Sequence, residues 1–174
     1  MTEIGDAVRG VRERLEEHPT AARSPDSAAA AVVDGGLRCR IEAPDGSVLF
    51  TDMPTALGGE ASAPTPGWLA RAARASCLAT MIALRAAELG LELEGVRVLA
   101  ESESDLRGML GLEDDVPPGP VETRLRVEVE GPRLRPDEVN ALVAWAERHS
   151  PVSDLVTRAV PSALAVEPLT GAQR

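Results

Sequence analysis

Trp68-Leu69-Ala70-Arg71-Ala72-Ala73-Arg74-Ala75-Ser76-Cys77-Leu78-Ala79-Thr80-Met81-Ile82-Ala83-Leu84-Arg85-Ala86-Ala87-Glu88-Leu89 decides how this chain is read. The stretch holds no glycine or proline and is dense in Ala, Leu and Arg, all good helix formers. Gly90 supplies a C-terminal stop. Through Ala72–Leu84 small and apolar residues run nearly all the way round, the pattern of a helix buried on most sides. The rest of the fold is expected to pack around it.

Upstream, Leu37, Cys39 and Ile41 alternate with Arg38, Arg40 and Glu42, which places the apolar three on one face of a strand. Pro44-Asp45-Gly46 is a turn signal, and Ser47–Thr51 returns as the second strand of a hairpin. Asp52–Gly67 is rich in glycine and proline and reads as a long loop, a length that is often functional. Thr2–Glu17 reads as a charged helix with Val8, Val11 and Leu15 as its weak apolar stripe. It serves as a peripheral arm or docks on a partner subunit. Pro19 ends it, and Thr20–Ser27 is a linker.

Downstream, Val96–Glu101 reads as a strand and Ser102–Pro120 as a polar excursion. In Val121–Glu130, Val121, Thr123, Leu125, Val127 and Val129 face one way and five charged residues the other. Such strict alternation implies an antiparallel sheet with one wet face. Pro136 opens a helix with Asp137 and Glu138 at its positive end. Ser150-Pro151 reads as an N-cap and N1 proline of a short helix to about Ala159, and Ser162–Val166 as a closing strand. Strands, a buried helix, strands, helices and a strand make an α+β fold.

Composition narrows the function. The chain has 174 residues, enough for one domain with a real core, and its 2% aromatic content makes that core aliphatic. A net charge of −10 repels phosphate backbones, and base-stacking platforms are scarce. Nucleic-acid binding and docking on anionic membrane are therefore not expected. No apolar run reaches membrane-span length and no signal-peptide pattern opens the chain, so the cytoplasm is the expected location. All 18 basic residues are arginine, which we read as coding bias. The two cysteines, Cys39 and Cys77, show neither metal-ligand spacing nor a disulfide framework. No metal or cofactor is expected.

Several ordered segments carry a family resemblance. They are Thr51-Asp52-Met53-Pro54, Gly58-Gly59-Glu60, Pro64-Thr65-Pro66-Gly67-Trp68-Leu69, Ala73-Arg74-Ala75-Ser76-Cys77, Glu103-Ser104-Asp105-Leu106-Arg107-Gly108 and His149-Ser150-Pro151-Val152-Ser153-Asp154. Together they resemble the OsmC/Ohr family of osmotically inducible and organic hydroperoxide resistance proteins, over roughly Gly35 to Val166. The resemblance implies an OsmC-like fold, with antiparallel sheets around a long buried central helix. It also implies an intertwined bacterial homodimer with active sites at the subunit interface. Residues 1–27 would form an N-terminal helical arm and linker, 28–168 the OsmC-like domain, and 169–174 a C-terminal tail. Active members reduce organic hydroperoxides in oxidative stress, using two cysteines and dithiol reductants.

Cys77 matches the peroxide-attacking cysteine of that family by its place in the central helix. Ser150 stands where the resolving cysteine would be, and Gly67 where a helper glutamate would be. Ser150 cannot form a disulfide, so a sulfenic acid on Cys77 would need an external thiol reductant, unless Cys39 comes close. Read from the residues alone, Cys77 is favoured as a small core hydrophobe, and the resemblance brings the reactive reading level with it. Arg74, three residues before it, shares its helix face and would favour a thiolate. Arg38 and Arg40 are further candidates for the family's arginine, or else line a solvated face. Glu60 is a candidate for the missing carboxylate. His149, beside Ser150, would make a Cys–His pair for a hydrolase. Trp68, at the mouth of the helix, would line a substrate pocket. Asp105 and Arg107 read as a structural ion pair. The expected function is hydroperoxide reduction through Cys77 by a one-cysteine thiol peroxidase. The alternatives are a non-catalytic homodimer binding a small apolar ligand and, behind it, a Cys–His hydrolase.

Overall fold

The structure is a computed structural model that describes residues 3–33 and 35–167. The expected tail, 169–174, lies outside them. Helix α2 spans Pro66–Leu89. It starts two residues earlier than its apolar stretch because Thr65 caps it, its Oγ1 accepting from the Trp68 N–H at 3.1 Å, and Pro66 takes the N1 place. Gly90, at φ 71°, ends it in the left-handed conformation that favours glycine.

Against one face of α2 lies an antiparallel pair, β4 (Gly95–Ser104) and β5 (Pro120–Glu130). Val96 pairs with Val129, Val98 with Val127 and Ala100 with Leu125, and the valines and Leu125 among them pack against the core. Arg97 and Glu128 meet on the wet face, as the alternation requires. Helix α4 (Pro136–His149) packs beside α2, and α5 (Pro151–Thr157) follows it after the single residue Ser150. Leu78, Ile82 and Ala86 on α2 and Leu142 and Ala146 on α4 are the fully buried apolar residues. Both sets repeat every four residues, one stripe on each helix. Helix α1 (Glu3–Glu17) lies along α2 in the same chain, tied by Arg12 to Glu88 at 2.8 Å.

Between the strands, α3 (Leu106–Met109) is capped by Asp105, whose carboxylate is also held by the Arg107 guanidinium. A Cβ at Gly108 would overlap the Val116 and Pro117 carbonyls, so glycine is needed for this close approach. The Asp105–Arg107 pair thus pins the long excursion.

The N-terminal sheet is a meander of β1 (Ala30–Val33), β2 (Cys39–Glu42) and β3 (Val48–Thr51). Its turn is built on Asp45, which accepts from the Ser47 N–H at 2.9 Å and Oγ at 2.7 Å. Strand β1 is an addition to the sequence reading, since an all-alanine-and-valine run carries no alternation to mark it. This sheet packs chiefly on itself, leaving Val33, Leu49 and Phe50 exposed.

Two expectations are corrected. Ser162–Val166 forms no strand: Leu164 is 91% and Val166 86% exposed, because a strand exists only in a ladder and no described edge takes this segment. Helix α2 is not buried on most sides within one chain, for Ala73, Ser76, Thr80 and Ala83 stay exposed. The chain exposes 13084 Å², against roughly 8,100 Å² for a compact monomer of its mass.

Candidate functional site around Cys77

Cys77 looks from the middle of α2 toward the junction of α4 and α5. Ser150, 1% exposed, forms that junction. Its Oγ donates to Cys77 Sγ at 3.2 Å and accepts from the Ser153 N–H at 3.2 Å. One hydroxyl therefore caps α5 and supplies its single proton to the sulfur. The N-cap reading of Ser150 is met, and the same oxygen reaches the thiol.

The contacts continue through residues that sequence reasoning missed. Ser153 Oγ donates to Glu147 Oε2 at 2.9 Å. Glu147 Oε1 accepts from Arg74 Nη2 at 3.1 Å, and Arg74 Nη1 donates to Thr123 Oγ1 at 3.1 Å. The chain runs Arg74–Glu147–Ser153–Ser150–Cys77 and returns to the helix it left, one turn further on. A signal for Glu147 was available: it precedes Ser150 by three, just as Arg74 precedes Cys77 by three. The Arg74 Nε is buried and meets no acceptor among the described residues. An unmade buried donor costs on the order of 1–3 kcal/mol.

The other candidates lie in different settings. Arg38 stacks on the Phe50 ring, 4.2 Å from its centroid, and Arg40 pairs with Glu42, both within the N-terminal sheet. Cys39 is half-buried in β2, opposite Thr51. Glu60 is exposed and gives its backbone N–H to Asp52. His149 adjoins Ser150 in sequence, but its ring stacks on Trp145 at 4.1 Å with Nδ1 on the Trp145 carbonyl at 2.7 Å. Trp68 is exposed and borders a shallow groove with Val98 and Ala100.

Asp52 organises the loop leading to the site. It is 1% exposed, and its carboxylate accepts from the N–H groups of Met53, Glu60 and Ser62 and from Ser62 Oγ at 2.7–3.2 Å. The Ser62 N–H, foremost among these donors, holds its pKa below the ordinary 3.8. Between Glu60 and Ser62 this clamp keeps Ala61 at φ 51°, in the left-handed region.

A cavity of about 780 Å³ opens beside the Arg74 turn, between the N-terminal half of α2, α3 and α5. Ala70, Leu106, Met109, Val121 and Val156 give it apolar walls, and Arg71 and Arg74 supply guanidinium groups. Cys77 lies one turn inward from Arg74. The arrangement offers a half-buried thiol with a hydroxyl donor on its sulfur and a braced arginine one turn away. No group of three or more His, Cys, Asp or Glu among the described residues is placed to hold a metal ion. No helix among them is long and apolar enough to cross a membrane.

No curated protein matches the chain. Among solved structures, the organic hydroperoxide resistance protein OsmC of Legionella pneumophila, described as a predicted redox protein and regulator of sulfide bond formation, aligns with a TM-score of 0.58 at 27% identity. That alignment covers 78% of this chain and 92% of that one. An OsmC-like protein of Mycoplasma pneumoniae aligns with a TM-score of 0.65 at 14% identity, covering 79% and 91%. OhrB, the organic hydroperoxide resistance protein of Bacillus subtilis, aligns at 0.51 and 20% identity, covering 76% and 92%. The latter two identities show a shared fold and no more. The family profile described as OsmC-like protein matches residues 59–165, well over half of the sequence and all of the elements that build the site. The chain belongs to the OsmC-like protein family.

Proposed function

We propose that the protein reduces organic hydroperoxides through Cys77 as a one-cysteine thiol peroxidase, working as a cytoplasmic homodimer. The observation that carries this reading is the Ser150 hydroxyl donating to the Cys77 sulfur at 3.2 Å. A donor aimed at sulfur stabilises the thiolate, the form that attacks peroxide. The thiolate attacks the terminal oxygen of R–O–OH. The S–O bond forms, the O–O bond breaks, and RO⁻ takes up the proton that the thiol released. Sulfur is oxidised by two electrons and the peroxide is reduced to ROH. Arg74, one turn away and braced by Glu147 and Thr123, supports the charge as it moves to oxygen.

Ser150 cannot resolve the sulfenic acid, and Cys39 sits in a sheet that, among the described residues, packs chiefly on itself. An external thiol R′SH therefore condenses with Cys77–SOH to a mixed disulfide and water. A second R′SH releases Cys77 and leaves R′S–SR′. The open apolar sheet, the exposed flank of α2 and the surface left uncovered by one chain support the homodimer. The name of the 27%-identical Legionella protein supports the substrate class.

Treating the reduced protein with cumene hydroperoxide and mapping Cys77 by mass spectrometry tests this. The expected product is a sulfenic acid, or a mixed disulfide when a monothiol is present. An unmodified Cys77 with the peroxide intact excludes the reading. A second reading, a non-catalytic homodimer that binds a small apolar ligand, is favoured by the apolar cavity alone. It predicts that Cys77→Ala keeps ligand binding with no loss of function. The Cys–His hydrolase has no equivalent contact behind it, since the His149 ring is engaged by Trp145.

A further inference from the structure

The His149 ring stacks on that of Trp145, with centroids 4.1 Å apart and planes 12° from parallel, and its Nδ1 meets the Trp145 carbonyl at 2.7 Å. A carbonyl only accepts, so Nδ1 carries a proton and donates it. Residues four apart are neighbours on a helix surface, and this pair ties together the final turn of α4, the part of a helix that otherwise frays. Trp145 is held in turn from α2. The Arg85 guanidinium lies over its ring, 4.7 Å from the centroid. Glu88 fixes that guanidinium at 2.6 Å and also receives Arg12 of α1. The turn so held ends at Ser150, and Arg85 belongs to the same helix as Cys77. The stack therefore fixes the end of α4 against the helix that carries the sulfur.

We infer that Trp145 is a positioning residue for Cys77: clamped between Arg85 and His149, it holds the last turn of α4 so that Ser150 keeps its hydroxyl on the sulfur. A hydrogen bond weakens steeply as its angle opens, so a small shift of this turn is enough to lose the contact at 3.2 Å. Glu147 and Trp145 do not face the same way on α4. The turn is thus tied to α2 at two places, through Glu147 to Arg74 and through Trp145 to Arg85. His149 gains a use that needs no contact with the thiol. The inference rests on the part of the proposed function that gives the Ser150 hydroxyl to the thiolate, and not on the fate of the peroxide.

The test is the rate at which iodoacetamide alkylates Cys77 at neutral pH in the full chain, followed by peptide mass spectrometry, with folding checked by circular dichroism. Trp145→Leu keeps apolar bulk and removes the aromatic face. It is expected to slow the reaction about fivefold, short of the loss in Ser150→Ala, because the hydroxyl is loosened and not removed. Trp145→Phe keeps a face for both neighbours and stays within about twofold of wild type. His149→Ala, at an exposed position, is a second variant should Trp145→Leu fail to fold, and slows the reaction about threefold. In a Ser150→Ala background neither change adds a further loss, because both act through one hydroxyl. A merely structural role for Trp145 would instead open the packing around a half-buried thiol and speed its alkylation. A rate unchanged or raised in either folded variant, a loss that persists on top of Ser150→Ala, or a wild-type rate in Ser150→Ala itself overturns the inference. A Cys77 that is inert to cumene hydroperoxide, yet is alkylated more slowly in Trp145→Leu, removes the peroxidase reading and leaves this one standing.

Discussion

The Ser150 hydroxyl donates to the Cys77 sulfur across the junction of α2 with α4 and α5, at 3.2 Å. The relationship joins a residue read as a helix cap to a residue read as a nucleophile, and both readings use the same oxygen. Removing it separates them. Ser150→Ala loses the cap, at a cost of about 1 kcal/mol, and also slows alkylation of Cys77 by iodoacetamide about tenfold at neutral pH, because a hydrogen bond to a charged acceptor is lost. Ser150→Thr keeps the hydroxyl and is expected to restore most of the rate. A rate unchanged in Ser150→Ala means that the hydroxyl serves the helix alone.

Arg74 and Glu147 form the other bracket of the site, 3.1 Å apart. Arg74→Met is expected to slow peroxide oxidation of Cys77 by about a hundredfold, the scale of losing one donor to a developing oxyanion. Glu147→Gln still accepts from the guanidinium and loses less. A double-mutant cycle on thermal stability should give a coupling of about 1 kcal/mol for this partly buried pair. Full activity in Arg74→Met would remove the arginine from the mechanism.

The legibility of the chain follows from what each signal depends on. The central helix, its glycine stop, the Asp45-Gly46 turn and the alternation of β5 are local and stood in the sequence. Strand β1 has no alternation, and the expected closing strand had a pattern but no ladder to join. The site was half legible. Of the residues the structure brings together, Cys77, Ser150 and Arg74 were named from the sequence, two of them through the family resemblance. Glu147 and Thr123 enter only because α4 and β5 pack against one turn of α2, which no local pattern records. His149 was drawn in by adjacency to Ser150, yet successive residues on a helix point to different sides. Its ring went to Trp145.

Asp52 makes the loop before α2 sensitive to acid. Its folded pKa is depressed, so its contribution is complete above the ordinary 3.8 and is lost as pH falls through the lower folded value. Asp105, lowered to about 2 chiefly by the Arg107 side chain, behaves in the same sense. Asp52→Asn should therefore melt several degrees below wild type at neutral pH, with the gap narrowing as pH falls below 3.8 through the lower folded value. A gap independent of pH would show that the carboxylate's charge is not what the loop uses.

Ala61 is held at φ 51° between two residues that both donate to Asp52. The left-handed conformation costs a residue with a Cβ about 1–2 kcal/mol. Glycine removes that cost but adds unfolded-chain entropy, about 0.4–1 kcal/mol in the opposite sense. Ala61→Gly is expected to stabilise the protein by up to about 1 kcal/mol in urea denaturation, with an unchanged slope. A loss of stability would mean that the Ala61 methyl makes contacts that outweigh its backbone strain.

The Ser150–Cys77 contact also predicts how a second thiol would behave. In Ser150→Cys the introduced sulfur starts near the Ser150 oxygen, 3.2 Å from Sγ of Cys77. A disulfide needs about 2.0 Å between sulfurs, a closure of little more than 1 Å at a junction one residue long. The variant gives up a good N-cap for a poor one, so a fall in stability of about 1 kcal/mol is expected as well. Peroxide should then consume two thiols per chain instead of one. The bond that forms should survive a monothiol chase better than the mixed disulfide of wild type, because the released thiol stays beside its partner at high effective concentration. Peptide mapping would show Cys77 joined to the introduced thiol, and a dithiol would reverse it. If Cys77 instead proceeds to the sulfinic acid with the new thiol still free, the two side chains do not meet in the oxidised state, and the serine's place at the sulfur belongs to the resting protein alone.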